Sequence, residues 1–106
     1  MDRNEDFFRR RIAELRIKRN VSEVQMSRDL GMSDGYINQL TTGRCNPSMK
    51  TFYNICEYFS LNPIEFWDAE NTDPDMIRQL ADLAKKLEPT KLQTIIDLVK
   101  WIQADA

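Results

Sequence analysis

Three times between residues 21 and 66 the chain carries the same signal for starting a helix. Val21-Ser22-Glu23-Val24-Gln25-Met26 offers Ser22 as N-cap, Gln25 three residues on, and Val21 and Met26 as an apolar staple across the cap. Met32-Ser33-Asp34-Gly35-Tyr36-Ile37 repeats the device, with Ser33 as cap and Met32/Ile37 as staple. Leu61-Asn62-Pro63-Ile64-Glu65-Phe66 adds Pro at the first helical position, Glu65 to complete a capping box and a Leu61/Phe66 staple. The stops are as plain. Gly31 and Gly43 each stand where a left-handed residue ends a helix. Starts at 22 and 33 with stops at 31 and 43 leave room only for two short helices joined by a tight turn. The centre of such a chain has no place for strands, and the fold class expected is all-α.

The flanks extend the pattern. Phe8, Ile12 and Leu15 lie on one face of a helix from about Glu5 to Arg19, with Asn4 as its cap. Asn46-Pro47 breaks the chain, and Ser48 opens a helix with Phe52, Ile55, Cys56 and Phe59 along one stripe. That spacing makes Phe52 and Phe59 core residues rather than a stacking platform for bases. The helix from Pro63 ends near Asp68. A polar linker over 68–73 leads to Asp73-Pro74, where a helix carrying Met76, Leu80, Leu83 and Leu87 begins. Glu88-Pro89 interrupts it, Thr90 and Gln93 offer a further capping box, and the last helix bears Leu92, Ile95, Ile96, Val99 and Ile102. The expected organisation is a five-helix domain over residues 1–68 and a linker plus helical hairpin over 69–106. On the last helix Leu98 and Trp101 widen the apolar arc to roughly 220°, more than one interface needs. Leu98, Trp101 and Ile102 are therefore the residues expected to bind a second copy.

Several functions are excluded for want of parts. The chain has no His, which removes the commonest general base and the commonest metal ligand. Its two cysteines, Cys45 and Cys56, cannot complete a zinc site alone. Cys56 falls on the apolar stripe, and Cys45 lies in a loop. There is no Gly-rich phosphate loop and no nucleophile paired with a base, so neither an enzyme, a cofactor nor a metal is expected. No apolar run approaches the ~20 residues of a membrane span, and the charged start MDRNEDFFRRR lacks a secretory core; a cytoplasmic location is expected. The net charge of −2 is unevenly spread. Residues 1–67 hold ten Lys/Arg against nine Asp/Glu, and residues 68–106 hold five against eight. A near-neutral front part permits a nucleic-acid partner without requiring one. Arg9-Arg10-Arg11 reads as a solvated helix face, with phosphate binding as the sharper alternative.

Two short helices around a turn containing Gly, with the small Ser27 one turn before Gly31, make the outline of a helix-turn-helix. From Ile12 to Trp67 the chain resembles the Cro and lambda-repressor-like (XRE-type) DNA-binding domain. The resemblance rests on IAELR in the first helix, V-S-x-x-x-M-S-x-x-L-G-M-S through the turn and Y-I-N-Q-L-T-T-G-R after it. N-P-S-x-x-T-F-x-x-I-C and L-N-P-I-E-F-W complete the ordered set. It implies a recognition helix over 33–41 whose N-terminal end, from Ser33, enters the major groove. The family's base-reading positions fall on Asp34, Gly35, Asn38 and Gln39, of which Asn38 and Gln39 carry the amides that bond adenine. Tyr36 is placed to stack on sugar or reach a phosphate, and the backbone contacts fall on Thr42, Arg44 and Glu23. Three positions depart from the pattern. Glu23 and Asp34 are carboxylates that phosphates repel, although Asp34 also suits cytosine N4. Thr41 stands where many relatives have a Glu to pair with the residue at Arg16.

The resemblance implies a sequence-specific regulator of transcription, a repressor, binding double-stranded DNA as a homodimer. The alternative, suggested by the acidic residues at 23 and 34 and the acidic tail, is a protein-interaction module. Such a module would be antitoxin-like or repressor-modulating, with a toxin or modulator as its partner.

Overall fold

In a computed structural model of the chain, residues 3–104 are described, and all regular structure among them is helical. Seven helices follow in order: α1 Arg3–Arg19, α2 Glu23–Asp29, α3 Tyr36–Thr41, α4 Met49–Tyr58, α5 Pro63–Trp67, α6 Pro74–Ala84 and α7 Pro89–Ala104. The all-α expectation holds. The chain divides into two compact units, Met1–Glu70 and Asn71–Ala106.

The first unit contains α1 to α5, with α3 packed on α1 and α2, and α5 packed on α1 and α4. Its core is Ile12, Met26, Ile37, Leu40, Ile55, Cys56 and Phe66, with Phe8, Leu15, Phe52 and Phe59 partly buried around it. Phe66 is the aromatic centre: Phe52 meets it edge-on at 5.2 Å between centroids, Trp67 at 5.2 Å and Phe8 at 5.7 Å. The aromatic stripe of α4 is thus spent on packing, as its helical spacing requires.

The caps explain why the helices are so short. Ser22 accepts from the Gln25 amide at 3.0 Å, Ser48 from Thr51 at 3.1 Å and Asp73 from Met76 at 3.2 Å. At Asn62 the box is complete, since Asn62 accepts from the Glu65 amide and the Glu65 carboxylate accepts from the Asn62 amide. At Ser22 the box is half made, because the Gln25 side chain donates instead to Asp29 at 2.7 Å. Gly31 (φ +73°) and Gly43 (φ +78°) close α2 and α3 with paired 5→2 and 6→1 hydrogen bonds, as expected of left-handed C′ residues. Asn20 and Ser60, both at φ +57°, close α1 and α4 with the same pair of bonds. Sequence reasoning did not single these two out, because neither is glycine.

Four expectations need correction. α1 already includes Asn4, so that residue lies within the helix and does not cap it. α7 begins at Pro89, which leaves Thr90 inside it; Gln93 reaches forward to Asp97 at 3.0 Å, and the Thr90/Gln93 box does not form. The helix expected over 33–41 is α3 at Tyr36–Thr41, with Gly35 as N-cap and no side-chain cap bond from Ser33. Arg11, read as part of an exposed run, is 6% exposed. Its guanidinium donates to the carbonyls of Phe66, Glu65 (3.0 Å) and Asp68 (3.5 Å) at the C-terminal end of α5, where the Glu65 carbonyl also accepts from the Asp68 amide at 3.2 Å.

The second unit contains α6 and α7, and neither helix buries a side chain. An apolar groove of about 440 Å³ runs between them, lined by Ile77, Leu80, Ala84, Leu92, Ile96 and Val99 among others. Leu98, Trp101 and Ile102 are 48%, 64% and 54% exposed.

Candidate nucleic-acid interface

The geometry of α2 and α3 hangs on Ser27. Its side chain is wholly buried; the hydroxyl donates to the Glu23 carbonyl at 2.8 Å and accepts from the Ile37 amide at 3.1 Å. The Ile37 amide is one of the N–H groups that the start of α3 leaves without an intrahelical partner. Capping thus comes from α2 across the turn, which is why Ser33 is not needed for it. Ser33 contributes only its carbonyl, accepting from Tyr36 at 3.0 Å in the tight turn before α3. Sequence reasoning read Ser27 as a small spacer, and the hydroxyl's double role has no signature in local spacing. Ser27→Ala strands the Ile37 amide and is expected to lower unfolding free energy by about 1–3 kcal/mol. Urea denaturation checks this, and a loss below that of the exposed cap variant Ser22→Ala counts against it.

Around this joint stand the residues expected to meet DNA. Asn38, Gln39, Thr42 and Arg44 are exposed, as are Ser33, Asp34 and Gly35, while Tyr36 is half-buried against the core. A Cβ at Gly35 meets nothing within 4 Å, so the N-terminal end of α3 is open to close approach. Beyond α3, Gly43 lies over the Arg9 guanidinium, whose Nη1 comes within 3.3 Å of where a Cβ would sit. Arg9 is itself paired with Asp6 at 2.5 Å. The Thr42 hydroxyl donates to the Asn38 carbonyl at 2.6 Å, and Gln39 Oε1 faces Cys45 Sγ at 3.9 Å.

Both carboxylates that depart from the family pattern have partners inside the unit. Arg28 grips Asp34 with two bonds, Nε to Oδ1 and Nη2 to Oδ2, each 3.0 Å. The guanidinium hydrogen bonds hold the Asp34 carboxyl below the usual carboxylate range and push Arg28 up. Glu23 accepts from Thr41 Oγ1 at 2.6 Å and from Asn38 Nδ2 at 3.3 Å. Thr41 therefore binds α2, and Arg16, whose usual partner it replaces, donates to the Val21 carbonyl at 3.1 Å. Arg28 was missed by sequence reasoning, although an opposite charge six residues from Asp34, across a turn closed by Gly31, was a visible signal. On the far side of α2, Tyr58 donates to Asp29 at 2.7 Å. That bond lowers the Asp29 pKa, while burial, and then the same bond, raises that of Tyr58.

Among the described residues no three His, Cys, Asp or Glu side chains converge to hold a metal, and no helix is long and apolar enough to cross a membrane. Residues 10–72 match a protein family described as a helix-turn-helix domain. No curated protein and no solved structure matches the chain.

Proposed function

Because the chain belongs to the helix-turn-helix family, we propose that it is a sequence-specific, double-stranded DNA-binding regulator of transcription, acting as a repressor and as a homodimer. The N-terminal end of α3 enters the major groove, Asn38 and Gln39 read base edges, and Arg44 with the helix-end amides holds the flanking phosphates. The observation that carries this reading is the treatment of the two carboxylates. Asp34, which would otherwise repel the phosphate backbone, is matched in charge by Arg28, and Glu23, still an anion, is held on α3 by the neutral donors Thr41 and Asn38. The exposed polar row of α3 and Arg44 is left to face the duplex.

A pair of variants tests it. Gln39→Ala is expected to cost about 1–3 kcal/mol on the preferred site and little on random duplex. Arg44→Ala is expected to weaken both equally and to flatten the salt dependence by about one unit of slope. Equal losses from Gln39→Ala on both duplexes would show that it reads no base. Wild-type protein that binds no duplex even at low salt would overturn the reading in favour of a module that docks on protein.

A further inference from the structure

Glu23 carries an acceptor-only group into the middle of the proposed reading face, and this constrains Asn38. A carboxylate takes hydrogen bonds and cannot give them. Of the two ends of the Asn38 amide, only Nδ2 can therefore turn toward Glu23, and it does so at 3.3 Å. The carboxylate is itself held: Thr41 Oγ1 donates to its other oxygen at 2.6 Å, and Glu23 is half-buried at the start of α2. Thr41 and Asn38 both belong to α3, so the contact spans the two helices of the motif. With Nδ2 turned inward, Oδ1 is the end left to accept from outside.

We propose that Glu23 is a positioning residue that sets the sense of the Asn38 amide, so that Asn38 presents an acceptor and selects a base bearing an exocyclic amino group. In the major groove those bases are adenine, through N6, and cytosine, through N4; guanine and thymine present acceptors at the corresponding edge. This rests on the DNA-binding reading above and adds to it what kind of base Asn38 takes. It also gives the carboxylate at position 23 a role other than contact with phosphate.

The test is selection of bound duplexes from a random pool by the wild type, Asn38→Ala and Glu23→Gln. Asn38→Ala locates the position Asn38 reads, as the one where preference disappears. At that position the wild type is expected to favour adenine and cytosine over guanine and thymine by about tenfold. Glu23→Gln matches the side chain in size but can donate, so the Asn38 amide is free to turn over. The preference there is expected to fall below about threefold, with preferences elsewhere and the cooperative unfolding unchanged. A purely structural role for Glu23 would weaken binding at all sites without changing that ratio. Two results overturn the inference alone: an unchanged ratio in Glu23→Gln, or a wild-type preference for guanine or thymine at the Asn38 position. Absence of any duplex binding by the wild type overturns the DNA reading together with it.

Discussion

Arg11→Ala is expected to lower the unfolding free energy by about 2–4 kcal/mol, whereas Arg10→Ala next to it is expected to change it by less than about 0.5 kcal/mol. The two side chains are identical and adjacent, and only their surroundings differ. Arg11 is buried and donates to three carbonyls at the end of α5, whereas Arg10 is exposed. Removing the guanidinium takes its donors from the Phe66 carbonyl and from the Glu65 carbonyl, which keeps the Asp68 amide, and also deletes a packed aliphatic stem beside the Phe66 core. Arg11→Lys is expected to fall between, because a point charge cannot fork across two carbonyls. Guanidinium denaturation of the three variants decides it; equal midpoints for Arg11→Ala and Arg10→Ala would remove the cap from the account.

The second large effect belongs to the second unit. Ending the chain before Asn71 is expected to leave a folded monomer and to reduce affinity for the preferred duplex by about 100-fold or more. The reason lies in α6 and α7, which bury no side chain while nine of their large apolar residues stand about half exposed. That is on the order of 900 Å² of apolar surface per copy, close to the roughly 800 Å² that each partner of a standard interface contributes. Pairing two copies through Leu98, Trp101 and Ile102 would present two recognition helices to half-sites one turn (~34 Å) apart. Sedimentation and duplex titration of both lengths check it. A full-length chain that sediments as a monomer at micromolar concentration, or a shortened chain that still dimerises, would reject this assignment.

What the residues announced in advance follows from the range of the interactions involved. Caps and C′ residues act over a few positions, so Ser22, Ser48, Asn62, Gly31 and Gly43 were legible one by one. Apolar spacing likewise placed Ile12, Ile55 and Cys56 in the core, whereas Phe66 was read only as a staple to Leu61. Ser33 misled because the signal it carries is local, while the Tyr36 amide three residues on goes to its carbonyl and the next amide, Ile37, is taken by Ser27 from another helix. Arg11 misled for a similar reason: a run of three arginines looks alike from within, and the acceptors that bury one of them lie on α5. The partners of Glu23 and Asp34 also come from outside their own helices. Residue types on the proposed reading face could be listed from the chain alone; their hydrogen-bond state required the tertiary fold.

The Arg11 clasp also bears on the order in which the first unit can be completed. Most of its closures join near neighbours: α2 with α3, and each helix with its own cap. Arg11, in contrast, meets acceptors 54 to 57 residues further along. During synthesis the helix-turn-helix can therefore form while α1 still lacks its final anchor. The unit locks only when Asp68 has left the ribosome, so that Phe66 of α5 is packed against Phe8 and Phe52 before the apolar faces of α6 and α7 emerge. A nascent chain that has closed its DNA-binding unit before its sticky segment appears is spared the mispairing of one with the other.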